Sequence, residues 1–430
     1  MKVFIHTLGC KVNQYETGAM ETLLRARGHE IVPSPAGCDA VVVNTCAVTA
    51  ESERKSRQAV RRYAAEAGEG AITAVCGCCA QVSPETAEKL GADLIGGSGG
   101  REAFVLELER VFETRTKSNL LDDALRRRAF EALPSGSEAG RTRAMLKIED
   151  GCLNFCAYCI IPYARGPVRS MPLPSVAAEA ADLQARGFRE IVVTGIEIAS
   201  YGRDLPEKPG LADAVKAAAG AAPEARIRLG SLEPRIVTED FCRTLAALKN
   251  VCPHFHLSLQ SGCDATLLRM RRRYDTALFF DAVTRLRRYF PGCAVAADLI
   301  CGFPGETDGE FRETMAFIEK CAFSSMHVFP YSVRPGTAAA VMDGQVPYEV
   351  KKARAGEAGR LAHRMRDAYC GACVGKTLTV LFETEEQGRS RGHAENYCEV
   401  EAEGAELRGQ CAEVTINSAK NGVLFGKICL

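Results

Sequence analysis

The chain has no tryptophan, only seven histidines and no excess of charge of either sign, with 54 Lys plus Arg against 54 Asp plus Glu. Balanced charge leaves no global field to draw in a polyanion, so any nucleic-acid partner must be held by local basic patches. Long apolar runs are missing too. Nothing approaches the roughly 18 residues of a membrane span, and Met1-Lys2-Val3-Phe4-Ile5-His6 has neither the apolar length nor the cleavage site of a secretory leader. A cytoplasmic protein with no membrane partner is expected. Hydrophobic residues at 47% and charged residues at 25% exclude wholesale disorder and fibres. The 430 residues suggest about three domains at roughly 150 residues each.

What is abundant is cysteine, 20 residues in all. In a reducing compartment a cysteine-rich chain more often binds metal or does chemistry than forms cross-links, although single cysteines also pack well as small apolar groups. Their clustering separates the two uses.

Residues 1–118 alternate the β-rich runs KVFIHT, DAVVVNT and AITAVC, beginning at Lys2, Asp39 and Ala71, with helical stretches such as Tyr15 to Arg27 and Glu51 to Glu66. This predicts an α/β domain around a parallel sheet. Residues 119–142, with Arg126-Arg127-Arg128 and Pro134-Ser135-Gly136-Ser137, read as a linker. Residues 143–369 hold six strand candidates starting near Arg143, Arg189, Ala225, His254, Cys293 and Ser325, with helical segments in every gap. Six βα units predict an open partial (βα)6 barrel, since the closed form needs eight units and about 250 residues. After a helix around Tyr348 to Tyr369, residues 370–430 switch to short β runs with glycine turns, predicting a small all-β barrel of oligonucleotide-binding type.

The sharpest cluster is Cys152, Cys156 and Cys159, spaced C-x3-C-x2-C just after the first barrel strand. Three thiolates on one loop can hold three irons of a four-iron, four-sulfur cluster and leave the fourth open to a ligand. A zinc site would want a second C-x2-C pair or a histidine, and neither is nearby. The ends of barrel strands are also where such folds place their chemistry. A second set follows the strands of the first domain: Cys10 after KVFIHT, Cys46 after DAVVVNT, and Cys76, Cys78 and Cys79 after AITAV. Strand ends of a parallel sheet share one edge, so three of these thiols can converge on a second cluster, or can simply pack there.

The loop GCLNFCAYC resembles the radical S-adenosylmethionine (SAM) superfamily, whose signature is C-x3-C-x-aromatic-C, with Tyr158 in the aromatic slot. The resemblance implies that Cys152, Cys156 and Cys159 bind a cluster whose open iron chelates SAM, and that reduction yields a 5'-deoxyadenosyl radical. The words TLGCKVNQYET (Thr7 to Thr17), NTCAV (Asn44 to Val48), GCCAQ (Gly77 to Gln81), GCLNFCAYCIIPYARGPVRS (Gly151 to Ser170) and DLICGFPGET (Asp298 to Thr307) resemble the methylthiotransferases over nearly the whole chain. That family implies an auxiliary four-iron, four-sulfur cluster on Cys10, Cys46 and Cys78, with Cys79 the alternative third ligand, and a C-terminal RNA-binding TRAM barrel. It also implies two SAM molecules per turnover. One methylates a sulfur on the auxiliary cluster, and the other supplies the radical that opens a substrate carbon to the methylthio group. Polar residues at predicted strand ends, Glu197, Ser231, Glu233 and Gln260, are candidates for gripping SAM.

TLGCKVNQYET and CIIPYARGPVRS look most like the branch acting on N6-threonylcarbamoyladenosine at position 37, beside the tRNA anticodon. Sister branches act on isopentenyladenosine in tRNA or on an aspartate of a ribosomal protein. Arg165 and Arg169 are substrate-side candidates by this resemblance. The arginine runs at Arg269 to Arg273 and Arg285 to Arg288 suit phosphate contacts or solvated helix faces. From Gly371 to Leu430 there are six Lys or Arg against nine Asp or Glu, so Arg389, Arg391, His393, Asn396 and Tyr397 are expected to form one localised RNA face. Expected partners are the tRNA anticodon stem-loop, an electron donor of flavodoxin or ferredoxin type and a sulfur source; the sequence says nothing of oligomeric state. The rival from another class is a non-catalytic iron-sulfur or zinc RNA-binding protein.

Overall fold

The structure is a computed structural model that describes residues 1–135 and 141–429. The first domain is a six-stranded sheet, all parallel, in the order Glu30–Ile31, Lys2–Thr7, Ala40–Thr45, Ile72–Gly77, Leu94–Ile95, Ser118–Asn119. The two central strands, AVVVNT and ITAVCG, are buried along their whole length, as expected where helices cover both faces. Helices Lys11–Ala26 and Arg101–Thr114 close one face through Met20, Leu24, Phe104 and Leu108, and helix Ala50–Ala67 closes the other through Ala59 and Val60. The three expected strands are present. The other three are two residues long, too short to carry an alternation.

The stretch expected to be a linker is a packed strap. Arg127 donates to Gln81 Oε1 and to Ser98 Oγ, at 2.7 and 2.8 Å. Glu131 accepts from the backbone N–H groups of Gly100 and Arg101, and the Tyr15 hydroxyl donates to the Leu133 carbonyl at 2.9 Å. Arg127 and Glu131 thus serve contacts to the first domain, while Arg126 and Arg128 are exposed; residues 136–140 lie outside the described residues.

Six parallel βα units follow. The strands Arg226–Leu229, Glu190–Thr194 and Arg143–Lys147 form one sheet, and Ser231–Leu232, His254–Gln260, Ala294–Cys301 and Ser325–Pro330 the next. Gly230 interrupts one strand between the two sheets, so the wall is a single open barrel of six strands. Ile191, Val193, Leu229, Phe255, Leu257, Leu259, Val295 and Leu299 pack under the outer helices. Strand periodicity then turns Glu190, Arg228, His254, His256, Gln260 and Asp298 to the concave side. The first domain covers the open side, its helix Lys11–Ala26 lying against the edge strand Arg143–Lys147.

The C-terminal residues form a closed five-stranded barrel in the order Thr377–Glu386, Arg389–Ala394, Glu399–Glu403, Val423–Ile428, Cys411–Lys420. It docks at the starts of the radical-barrel strands through Glu190, which takes Arg226 at 2.5 Å and Arg228 at 2.8 Å. Those arginines continue to the carbonyls of Thr379, His393 and Glu395. Burial alone would raise the Glu190 carboxyl, but Arg228, Arg226 and Arg143 hold it well below the usual carboxylate range.

Candidate functional site

Cys152, Cys156 and Cys159 lie half-exposed on the loop after the short strand Glu149–Asp150. Backbone bonds pin this loop from several sides: Cys152 N–H to the Gly166 carbonyl at 2.9 Å, Ala157 N–H to Met270 at 3.0 Å, and Ala339 N–H to Ala157 at 2.7 Å. Within it Phe155 has φ +45, a left-handed backbone of the kind that persists where surrounding structure imposes it. Tyr158 packs against the buried cluster of Ala157, Met270, Phe303, Tyr331 and Ala339. One charge reaches the sulfurs directly, Arg272 Nη1 donating to Cys156 Sγ at 3.1 Å. Burial pushes the Cys159 thiol up to about 12 and raises Cys152 as well, so these groups stay protonated until a metal takes the proton's place.

The four strand-end candidates divide. Glu197 stands beside the loop, accepting from Asn154 Nδ2 at 3.2 Å, and burial pushes its carboxyl up to about 7. Gln260 ends its strand at φ +66, beside a register shift, which makes it a second strained position facing the cleft. Glu233 is buried and ion-paired to Arg235 at 2.8 Å. Ser231 is turned to His256, its Oγ 2.8 Å from Nδ1, which places its hydroxyl in a side-chain pair of the barrel wall.

In the first domain the structure brings Cys10, Cys46 and Cys78 together at the carboxyl edge of the sheet, each within electrostatic reach of another. Two glycines permit it. A Cβ on Gly9, at φ +112, would stand 3.0 Å from Cys46 Sγ, and one on Gly77, at φ +98, would strike the Thr45 carbonyl. The sharp turn at Gly77 opens the helix Cys78–Val82. Of the neighbours of Cys78, Cys76 packs among Phe104, Leu94 and Leu108 on one face of the sheet, and Cys79 lines a small pocket with Ser56, Val60 and Ala87 while staying within electrostatic reach of Cys46. Cys78 is within reach of both Cys10 and Cys46. Neither cysteine set is gathered for a single ion. A tetrahedral zinc would draw its sulfurs to within about 3.8 Å of one another, and no cysteine triple among the described residues has its sulfurs all within 4.8 Å.

Beneath Cys10, Cys46 and Cys78 lies a buried charge network. Glu16 takes Arg101 at 2.7 Å, Lys147 at 3.2 Å and Arg165, and Asp150 takes Lys147 at 2.8 Å and Arg169 at 3.3 Å. Burial would raise the Glu16 carboxyl, but Arg101, Arg165 and Lys147 hold it well below its usual range, whereas burial drives Glu149 well above its own. Four buried cations therefore face two carboxylates. Such an excess is costly unless further negative charge completes the site; a four-iron, four-sulfur cluster held by three thiolates would bring a net charge of about −1 in its oxidised form and offset part of it. Arg165 makes the link, its Nε donating to Cys78 Sγ at 3.2 Å and Nη2 to Asn13 Oδ1 at 2.8 Å. The donor set and the charge fit a cluster here.

Arg165 and Arg169, expected on the substrate side, are both buried. Carboxylates hold Arg165, and Asp150 with the Arg165 and Pro167 carbonyls holds Arg169. Arg165 closes the short helix Ile161–Arg165, which packs on Cys78–Val82. A few residues of chain therefore connect the loop cysteines to Cys78. Asn13, Glu16, Arg101, Lys147, Asp150 and Arg272 are the site residues that sequence reasoning missed.

The expected RNA face of the terminal barrel is also divided. Arg389 and Arg391 are exposed and pair with Glu401. His393 and Tyr397 instead face the radical barrel, Tyr397 lying under Arg228 at 4.7 Å and near His254 at 4.8 Å, and Asn396 is buried against Cys373. In the arginine runs, Arg269 pairs with Glu310, and Arg285 and Arg288 with Glu239.

A partial (βα)6 barrel with C-x3-C-x2-C on the loop after its first strand defines a radical SAM protein, and residues 146–318 match the Radical SAM superfamily. Residues 2–97 match the family described as Uncharacterized protein family UPF0004. The threonylcarbamoyladenosine tRNA methylthiotransferase MtaB of Bacillus subtilis (strain 168) is 37% identical over 97% of this chain and 94% of its own length. MtaB of Thermotoga maritima is 36% identical over 89% and 86%. The tRNA-2-methylthio-N(6)-dimethylallyladenosine synthase of Maricaulis maris is 32% identical over 99% and 97%. The radical S-adenosylmethionine methyltransferase TsrM from Kitasatospora setae shares the fold, with TM-score 0.58 over 91% of this chain and 77% of that one at 15% identity. This chain belongs to the radical SAM tRNA methylthiotransferases. Membership brings a four-iron, four-sulfur cluster and SAM. Among the described residues no helix is long and apolar enough to cross a membrane.

Proposed function

We propose that this protein converts N6-threonylcarbamoyladenosine at position 37 of tRNA to its 2-methylthio derivative, using two SAM per turnover. Cys152, Cys156 and Cys159 hold the radical SAM cluster, and Cys10, Cys46 and Cys78 hold the auxiliary one. When bound, these groups supply reductive SAM cleavage on one side and a transferable methylthio sulfur on the other. The chain's own part is positioning. Glu197, half-neutral near pH 7 and bonded to Asn154 on the cysteine loop, lies where the polar groups of SAM are to be gripped. Arg272 and Arg165 each place a guanidinium on one ligand sulfur. The terminal barrel lines up the anticodon stem-loop from its exposed Arg389 and Arg391 edge, and a flavodoxin- or ferredoxin-type reductant and a sulfur source complete the cycle.

One observation carries this reading: two three-cysteine sites joined by the segment Cys159 to Arg165, which begins at one and ends hydrogen-bonded to the other. Mass spectrometry of tRNA nucleosides from a host lacking the methylthiolated nucleoside, with and without this gene, tests it. Gain of a methylthio group on threonylcarbamoyladenosine is the expected result. Gain on isopentenyladenosine or on a ribosomal protein would move the substrate, and reconstituted protein that never forms 5'-deoxyadenosine would refute the mechanism.

A further inference from the structure

On the concave wall of the barrel, three adjacent parallel strands each present one metal-ligating side chain. Asp298 stands directly across from His327 in register, and His256 pairs with Ala296, the preceding inward position beside Asp298. One ligand atom from each of His256, Asp298 and His327 lies within 4.8 Å of the other two, the only such triple of His, Cys, Asp and Glu among the described residues. The two imidazoles meet edge to face, with centroids 5.7 Å apart and planes at 76°.

The wall also orients the ligands. Ser231 Oγ lies 2.8 Å from His256 Nδ1, and a partner on one ring nitrogen is what fixes a metal-binding histidine's tautomer and aim. The other nitrogen, His256 Nε2, is buried with no hydrogen-bond partner although Asp298 Oδ1 is 3.2 Å away. The two atoms form a close ion pair when His256 is charged, and about 3.3 Å is also the separation of two ligand atoms bonded at about 2.0–2.1 Å to one tetrahedral ion.

We propose that His256, Asp298 and His327 form a mononuclear site for a first-row divalent cation, separate from both cysteine sets. Two imidazoles and one carboxylate suit Zn2+, Fe2+, Co2+ or Mn2+. Three protein ligands leave positions open toward the lumen. Those positions accept oxygen donors, which include water and the carboxylate and hydroxyl of a threonylcarbamoyl group; this last point alone rests on the proposed substrate.

The test uses protein with both iron-sulfur sites filled, stripped of loose divalent ions and titrated anaerobically with Mn2+, with free Mn2+ read by its electron paramagnetic resonance signal. The site should retain about one Mn2+ per chain, and Asp298→Asn and His327→Gln should each weaken retention by at least about tenfold. Asp240→Asn, on an exposed helix, should change nothing, and Zn2+ should displace the bound Mn2+. His327 is exposed, so its variant tests the site without disturbing the core, and unchanged iron content verifies the fold of each. Wild-type protein that retains no Mn2+, or retention equal in all variants, would overturn the site. Because the readout is metal binding, its failure leaves the methylthiolation reading standing, and loss of methylthiolation leaves the site standing.

Discussion

Cys152, Cys156 and Cys159 share one loop, whereas Cys10, Cys46 and Cys78 arrive from the ends of three strands. The loop site depends on chain connectivity and a few backbone bonds that hold a single turn against Met270, Gly166 and Ala339. The strand-end site depends on the register of a parallel sheet, on glycines at 9 and 77, and on buried Glu16, Arg101, Lys147, Asp150 and Arg165. Each has one arginine on one sulfur, Arg272 on Cys156 and Arg165 on Cys78. The guanidinium near the loop answers mainly to aromatic neighbours, with Tyr274 at 4.8 Å, while the other is the hub of an interdomain ion network. A cysteine site made by connectivity tolerates changes in its surroundings; one made by topology is as stable as the fold beneath it.

The largest effects separate the sites by chemistry. Cys156→Ala should leave SAM intact, with no 5'-deoxyadenosine detected by chromatography. Cys78→Ala should lose half the iron and all methylthiolated product, whereas Cys79→Ala, whose thiol faces Ser56 and Val60, should keep both. Equal loss from Cys79→Ala would dissolve the distinction between neighbours. Next in size is Arg165→Met, which removes the guanidinium on Cys78 and one of the partners of Glu16 and Asp150, each of which keeps Lys147 and a second cation, and should cost about 1–3 kcal/mol of stability. Thermal melts should show that drop together with loss of auxiliary iron, while Arg272→Met should retain auxiliary iron and lower only the radical-site signal.

A smaller effect concerns the joint with the terminal barrel. The Glu190 carboxyl titrates lower folded than unfolded, against the effect of its burial, because Arg228, Arg226 and Arg143 surround it. Its contribution is therefore full above the unfolded value of about 4.3 and is lost as pH falls below that toward the folded value. Amide exchange in Thr377–Glu386 and Arg389–Ala394 should accelerate as pH falls below about 4 relative to the intrinsic rate, and Glu190→Gln should bring the same loosening to neutral pH. Protection that grows on acidification would contradict the joint as described. Smallest of all, Arg389→Ala and Arg391→Ala should weaken tRNA binding only several-fold and reduce the slope of log affinity against log salt by about one each.

The same contrast explains what the sequence disclosed. C-x3-C-x2-C is a local spacing and is legible at once, and six βα units are legible because each strand and helix carries its own period. The convergence of Cys10, Cys46 and Cys78 is legible only through a rule about parallel sheets, and the choice of Cys78 over Cys79 only through a motif, since one residue along a helix turns the side chain by about 100°. The burial of Arg165 and Arg169 is not legible because arginine is usually exposed, and nothing in the linear sequence shows Glu16 and Asp150 waiting for them. His393, Asn396 and Tyr397 mislead for a related reason, as a basic and aromatic barrel surface serves a domain joint as well as an RNA. The short strands Glu30–Ile31, Leu94–Ile95 and Ser118–Asn119 are set by the sheet they join and leave no pattern of their own.

The most direct test of two sites with separate tasks is Cys46→Ala, reconstituted anaerobically beside the wild type and assayed on tRNA carrying threonylcarbamoyladenosine for iron, 5'-deoxyadenosine and methylthiolated nucleoside together. Iron should fall from about eight to about four per chain, with 5'-deoxyadenosine still formed and the methylthio product absent. Methylthiolated product from the variant, or loss of 5'-deoxyadenosine along with it, would contradict the division of labour between the two cysteine sets.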